Sequence, residues 1–74
     1  MWELEFKRLS SNLARNIKNI RHEKGLAQER LALEAGVDRT LVSKIERLIA
    51  NPSLEILVKL AVVLEVPVMK LLAD

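Results

Sequence analysis

Asp38-Arg39-Thr40-Leu41-Val42-Ser43-Lys44-Ile45-Glu46-Arg47-Leu48-Ile49 is the stretch whose reading decides the fold. Wound as an α-helix at about 100° per residue, it separates into two faces. Arg39, Thr40, Ser43, Lys44 and Arg47 form a side rich in hydrogen-bond donors, three of them cations. Leu41, Val42, Ile45, Leu48 and Ile49 form an apolar side. Asp38 stands before the first turn, where a carboxylate accepts from free backbone N–H groups and favours the positive end of the helix dipole. A short capped helix of this kind suits reading of a DNA major groove. It equally suits an ordinary amphipathic surface helix, and the stretch alone does not separate the two.

Upstream, Gln28 to Ala35 reads as a short helix with Leu31, Ala32 and Ala35 on its buried edge. Gly36 closes it, and only Val37 and Asp38 separate it from the Asp38–Ile49 helix. Two short helices joined through a glycine at this distance form a helix-turn-helix. Ala32 is small enough to let them cross closely, and Leu31, Val37, Val42 and Ile45 fill the angle between them. Further upstream, Phe6, Leu9, Leu13, Ile17 and Ile20 recur at spacings of three and four, predicting a helix over 4–24. Ser10 or Ser11 offers a place for a break, Met1 to Leu4 either fray or let Trp2 pack on the body, and Gly25 supplies a left-handed stop.

Downstream, Ala50 to Pro52 is a break, because proline pushes Asn51 away from helical angles. Ser53 or Asn51 caps the next helix. Leu54, Leu57, Leu60, Ala61 and Leu64 give that helix an inward stripe. Val66-Pro67 interrupts, and Val68 to Ala73 can form a last short helix.

Composition narrows the function classes. Seventy-four residues make one small domain without room for a cleft between domains. The chain is 50% hydrophobic with two glycines and two prolines, which favours an all-helical fold. Net charge is +2 and the pI about 9.3, which permits a nucleic-acid partner without demanding one. Trp2 and Phe6 are the only aromatics, too few for the stacking platforms of single-strand binders. There is no cysteine, and His22 is the sole histidine, so neither a metal site nor a nucleophile–histidine pair is expected. No cofactor motif is present. No apolar run approaches the roughly 18 residues of a membrane span, and no signal core precedes the first helix, so a cytoplasmic location is expected.

Against this background, Gln28, Leu31, Ala32, Gly36, Val37, Val42 and Ile45 resemble the helix-turn-helix signature of the lambda-repressor-like (Cro/C1, or XRE) family. Ile45-Glu46-Arg47 and the run from Asn51 to Ala61 are similar to that family's third and fourth helices, and Arg21 with Lys24-Gly25-Leu26 to its first-helix end. The resemblance covers about residues 11–72. Asp38-Arg39-Thr40 with Val42-Ser43 looks most like the controller proteins of restriction–modification systems. The resemblance implies an all-α, compact five-helix domain spanning 1–74, with a central helix-turn-helix at about 28–48. It implies a sequence-specific double-stranded DNA-binding transcriptional regulator, not an enzyme, that controls restriction–modification genes by occluding or recruiting RNA polymerase.

Site roles follow position by position from the same resemblance. Arg39, Thr40, Ser43 and Lys44 fall where recognition residues meet base edges. A guanidinium at 39 can reach guanine O6 and N7 together, a contact worth about 1–3 kcal/mol of discrimination. Gln28, Arg47 and Asn51 fall at phosphates. Arg21 and Glu46 match an internal ion pair. Three positions depart from the pattern: Ala27 replaces a capping Ser or Thr, and Leu48 and Glu65 replace glycines, where each would adopt a left-handed conformation or end its helix differently.

The residues themselves carry one more expectation. Ile56, Val62, Val63, Val66, Met69 and Leu72 exceed what one small core can bury, which points to a two-fold homodimer through the last two helices. Two recognition helices would then lie about 34 Å apart on a near-palindromic operator. The rival reading is a helical protein–protein module, antitoxin-like or adaptor-like, on the same scaffold.

Overall fold

The computed structural model describes residues 1–74 as five α-helices, with no strand. α1 is Trp2–Glu23, α2 Gln28–Ala35, α3 Leu41–Glu46, α4 Leu54–Leu64 and α5 Val68–Leu72. α1 packs against α3 and α5, α2 against α3 and α4, and α4 against α5. They close on one core in which Ile17, Leu31, Val42, Leu60, Leu64 and Leu71 have no exposed surface. Val37 and Ala35 are half-buried against that core, and Ala32 is fully buried where α2 meets its neighbours. The all-helical fold expected from the sequence is the fold observed.

Several boundaries differ from expectation. α1 has no break at Ser10–Ser11, because the stripe Leu9, Leu13, Ile17 runs through the serines and holds the helix from below. Its start neither frays nor folds back: Trp2 is helical, 69% exposed, and edge-on to Phe6 at 6.2 Å. α3 is shorter than the amphipathic stretch. At its front, Asp38 accepts from the Thr40 amide at 2.8 Å and from the Thr40 hydroxyl, so residues 38–40 form a side-chain-closed turn. At its back, Leu48 takes φ 64° and turns the chain out of the helix, so Leu48 and Ile49 are exposed instead of lying on the apolar face. Leu54 is also exposed, because it sits in the first turn of α4 at the edge of the stripe set by Leu57, Leu60, Ala61 and Leu64.

One device ends four of the helices. The amide of the residue after a left-handed position bonds back to a carbonyl five residues earlier: Leu26 to Arg21, Val37 to Ala32, Ile49 to Lys44 and Val66 to Ala61, at 2.9–3.1 Å. The left-handed residues are Gly25, Gly36, Leu48 and Glu65. Glycine adopts that conformation freely, whereas an L side chain there costs about 1–2 kcal/mol. Leu26, Val37 and Val66, one place further on, then drop onto the core.

The polar interior is small and fully paired. Arg21 donates to Glu46 from Nε at 2.9 Å and from Nη2 at 3.1 Å, with both side chains under a tenth exposed. Arg21 Nη1 donates to the Leu26 carbonyl at 2.8 Å, and Gln28 Nε2 donates to the same Glu46 carboxylate at 3.0 Å. The end of α1, the start of α2 and the end of α3 are thereby tied at one point. A second polar seam joins α1 to the end of α5. Asn12 Nδ2 donates to the Leu72 carbonyl at 3.1 Å, and Asn16 Nδ2 to the carbonyls of Lys70, Leu71 and Ala73 at 2.7–3.1 Å.

Two outcomes follow for stability. Glu46→Ala leaves the buried Arg21 guanidinium uncompensated and should lower unfolding free energy by about 3–5 kcal/mol in urea titration. Leu48→Gly relieves left-handed strain of about 1–2 kcal/mol, offset by about 0.5–1 kcal/mol of extra unfolded-chain entropy. It should therefore raise stability by up to about 1.5 kcal/mol, and a loss of about 1 kcal/mol would show that Leu48 is not strained.

Candidate nucleic-acid interface

The turn and helix from Arg39 to Arg47 present one continuous polar surface. Val42 and Ile45 anchor it from beneath, at 0% and 2% exposure. Above them, Arg39, Thr40, Lys44 and Arg47 are exposed and Ser43 is half-buried. Of the seven ion pairs in the molecule, none involves Arg39, Lys44 or Arg47. Apart from Arg47 Nε, which bonds to Ser43, their donors stay free for an outside acceptor. Glu46, the acidic residue within this helix, is withdrawn into the Arg21 pair and does not neutralise the surface.

Individual side chains differ in how free they are. Arg39 stands in the turn before α3, not on the helix, and its guanidinium forms no hydrogen bond within the chain. The Thr40 hydroxyl donates to Asp38, which leaves its methyl group and oxygen lone pairs for a partner. Arg47 folds back along α3, with Nε 3.1 Å from Ser43 Oγ, and keeps both terminal nitrogens free. Asn51 is exposed in the α3–α4 loop. Gln28 is half-buried and its amide nitrogen is committed to Glu46, so its side chain is less available than the resemblance implies. What α2 offers instead is backbone. Ala27, its N-cap, supplies no side-chain acceptor, and the first amide with a helical partner is Leu31. The Gln28, Glu29 and Arg30 amides stand open at the positive end of the helix.

Lys18 was not singled out by the sequence reading. It borders a shallow groove with Ser11, Arg15, Asn19, Glu46 and Leu48 beside the end of α3, and it has no carboxylate partner. The available signal was its place three residues before Arg21, one turn along the face that meets α3. The apolar set Ile56, Val62, Val63, Val66, Met69 and Leu72 divides. Ile56, Val63, Val66 and Leu72 rest half-buried on the core, whereas Val62 and Met69 are exposed at 70% and 80%. Leu54 and Val58 extend that exposed edge along α4 at spacings of four.

Asp38 is the one carboxylate in this surface. The Thr40 hydroxyl and then the Thr40 amide hold it below the usual carboxylate range, with smaller help from Lys44 and Arg39.

The model of the helix-turn-helix family HTH_3 matches residues 17–71. The transcriptional regulator SinR of Bacillus subtilis is 44% identical over 63 residues, which is 84% of this chain and 57% of SinR. The chain thus spans little more than half the length of this curated relative. Among solved structures, the hypothetical transcription factor NHTF from Neisseria superposes with a TM-score of 0.86 at 41% identity, covering 89% of this chain and 76% of that one. The restriction–modification controller protein C.AhdI from Aeromonas hydrophila gives 0.79 at 35% identity, covering 84% and 94%. SinR in complex with DNA gives 0.76 at 44% identity, covering 82% and 98%.

The Asp38 turn can be tested by acid. Because the folded pKa is depressed, its stabilisation is complete above the unfolded value of about 3.9 and fades as pH falls through the lower folded value. Asp38→Asn should flatten that part of the acid limb below about pH 4, read by circular dichroism against the parent. An unchanged limb would mean that Thr40 does not hold the carboxylate.

Proposed function

The chain belongs to the helix-turn-helix family of the Cro/C1 type, and from that premise we propose that it is a sequence-specific double-stranded DNA-binding transcriptional regulator. The observation that carries this reading is the row of three exposed cations without carboxylate partners, Arg39, Lys44 and Arg47, set over a buried apolar anchor. The complex of SinR with DNA, a relative at 44% identity, supports it. In this reading α3 enters the major groove, and Arg39, Thr40, Ser43 and Lys44 meet base edges. The open amides at the start of α2, Gln28, Arg47 and Asn51 take phosphate oxygens. The chain over 1–74 works as one binding unit with its helix-turn-helix at about 28–48, in the cytoplasm, as a binding protein without catalysis.

Function as a homodimer on a near-palindromic operator belongs to the same proposal. One α3 spans few base pairs, and the exposed Val62 and Met69, continued by Leu54 and Val58, supply an apolar edge on α4 and α5 for a second copy. Ile56, Val63, Val66 and Leu72 would support that edge from below more than touch the partner. A regulator bound there acts on RNA polymerase by occlusion or recruitment. The relatives include a restriction–modification controller and SinR, so operator binding is their common ground, and control of restriction–modification genes is the specific form taken from C.AhdI.

Selection of bound duplexes from a random pool at fixed salt, followed by titration of the winner, tests the reading. Arg39→Ala should relax preference at one base position and cost about 1–3 kcal/mol on the selected site. Arg47→Ala should weaken all sequences alike and reduce the slope of log K against log salt by about one per bound protomer, hence about two for a dimer. Arg39→Ala with affinity and preference intact would sink the assignment of this face.

A further inference from the structure

The first turns of α1 stand clear of the body, meeting it only through Phe6 and Lys7 at groove edges and through Arg8, paired with Asp74 at 2.6 Å. Residues 1–8 are all exposed, and the buried positions of α1 begin at Asn12 and Leu13. A helix of 22 residues is about 33 Å long, which accounts for the long dimension of 35 Å against 20 and 19 Å for the other two. The projecting segment also lies outside the family match, which starts at residue 17.

Its apolar face continues the face that builds the core. Trp2, Phe6 and Leu9 follow spacings of four and three and lead directly into Leu13. Trp2 is 69% exposed and Phe6 44%. At the base of the projection, Phe6, Leu9, Leu13, Pro52, Leu57 and Leu72 line a mostly apolar groove of about 180 Å³, with Ser10 and Asn51 at its polar rim. An apolar cavity of about 150 Å³ admits benzene, so the groove takes one ring of an indole, with the rest of the side chain along its open rim.

The geometry points to an occupant: the projecting turns of α1 pack antiparallel against the same turns of a second copy of this chain, with Trp2 of each copy seated in the groove of the other. Register supports this. With the two Phe6 rings meeting at the two-fold axis, Trp2 lies four residues to one side. It therefore falls beside position 10 of the other copy, between Leu9 and Leu13, where the groove opens. Charge supports it too. Glu3 and Lys7 lie one turn apart on the same flank of the stripe, and antiparallel pairing puts Glu3 of each copy beside position 9 of the other. That is about 3 Å along the axis from Lys7 and within reach of its long side chain. Lys7 there competes with the terminal ammonium from which Glu3 accepts at 2.7 Å. Lys7 has no carboxylate partner within its own chain. Two short helix ends make a small contact, so association here is weak and concentration-dependent. It requires neither DNA nor the α4–α5 edge.

Trp2 is the only tryptophan, so its fluorescence reports this contact directly. Emission of the intact chain, followed against concentration alongside sedimentation equilibrium, should shift to the blue and become protected from iodide as mass doubles. Glu3→Lys should weaken that association by roughly three- to tenfold, two exposed ion pairs being replaced by repulsion. Adding Lys7→Glu to the same chain should restore it. Phe6→Glu should abolish the shift while circular dichroism keeps the fold. Tryptophan emission that stays solvent-exposed at every concentration, through dimer formation and beyond it, overturns the proposal and leaves self-association to α4 and α5. A blue shift without a rise in mass overturns it as well, as does a charge swap that fails to restore association.

Discussion

The ion pair between Arg21 and Glu46 is the constraint on which the rest of the molecule depends. Each partner is under a tenth exposed, and desolvating two charges cancels most of what their attraction supplies. The pair is therefore a weak source of net stability and a strong source of geometry. A bidentate guanidinium–carboxylate contact tolerates little rotation. Glu46 is the last residue of α3, so fixing it fixes how this six-residue helix presents Lys44 and how the turn before it presents Arg39 and Thr40. Gln28 completes the carboxylate's shell from the first position of α2. The angle between α2 and α3, which any groove reader must hold, is thus locked by hydrogen bonds as well as by Leu31, Val42 and Ile45. We read the buried charge as retained for that orientation, since an apolar contact of the same volume would allow sliding.

Much of this was legible in the residues. The spacing of Leu13, Ile17 and Ile20 fixes the inward side of α1, and Gly36 with Val37 marks where α2 must stop. Periodicity locates faces well because burial has no local competitor there. It fails where a helix ends without glycine. No local pattern in Arg47-Leu48-Ile49 signals that Leu48 turns left-handed, because the cause is tertiary: Glu46 is pinned, and the chain must leave α3 there to reach Pro52. Only the family's glycine at that position pointed to it. Once Leu48 turns, Ile49 and Leu48 lose the apolar face that a longer helix would have given them. The hydrogen bond from Gln28 to Glu46 was illegible for the same reason, since its partner lies 18 residues away and no local pattern announces it. Arg39, Lys44 and Arg47 were legible as cations on one face, but that they lack carboxylate partners is knowable only after every acidic residue has been placed.

The two left-handed residues that are not glycine bear on how stability is spent in so small a chain. A domain of this size retains a margin of a few kcal/mol, and Leu48 and Glu65 together consume a sizeable part of it. Glu65 recovers little, because its ion pair with Lys24 at 3.2 Å is largely exposed. Both positions border surfaces where the chain meets partners in the readings above: Leu48 sits beside Lys18 and Lys7 at the edge of α3, and Glu65 closes the helix that carries Val62. Side chains are therefore retained where backbone ease alone would choose glycine.

The distribution of apolar residues makes the same point from the other direction. Fifty per cent hydrophobic content is more than this core absorbs. Much of the excess gathers in two places, the outer edge of α4 and α5 at Leu54, Val58, Val62 and Met69 and the projecting turns of α1 at Trp2 and Phe6, while Leu33, Leu48 and Ile49 are exposed elsewhere. Neither place overlaps the cationic surface of α3. A chain that used one face for everything would have to choose between a partner and a nucleic acid. Separation of the apolar edges from the Arg39–Arg47 surface lets a second copy bind while the donors stay open, and the Arg21–Glu46 pair keeps the intervening helices rigid enough for the two surfaces to hold a fixed distance.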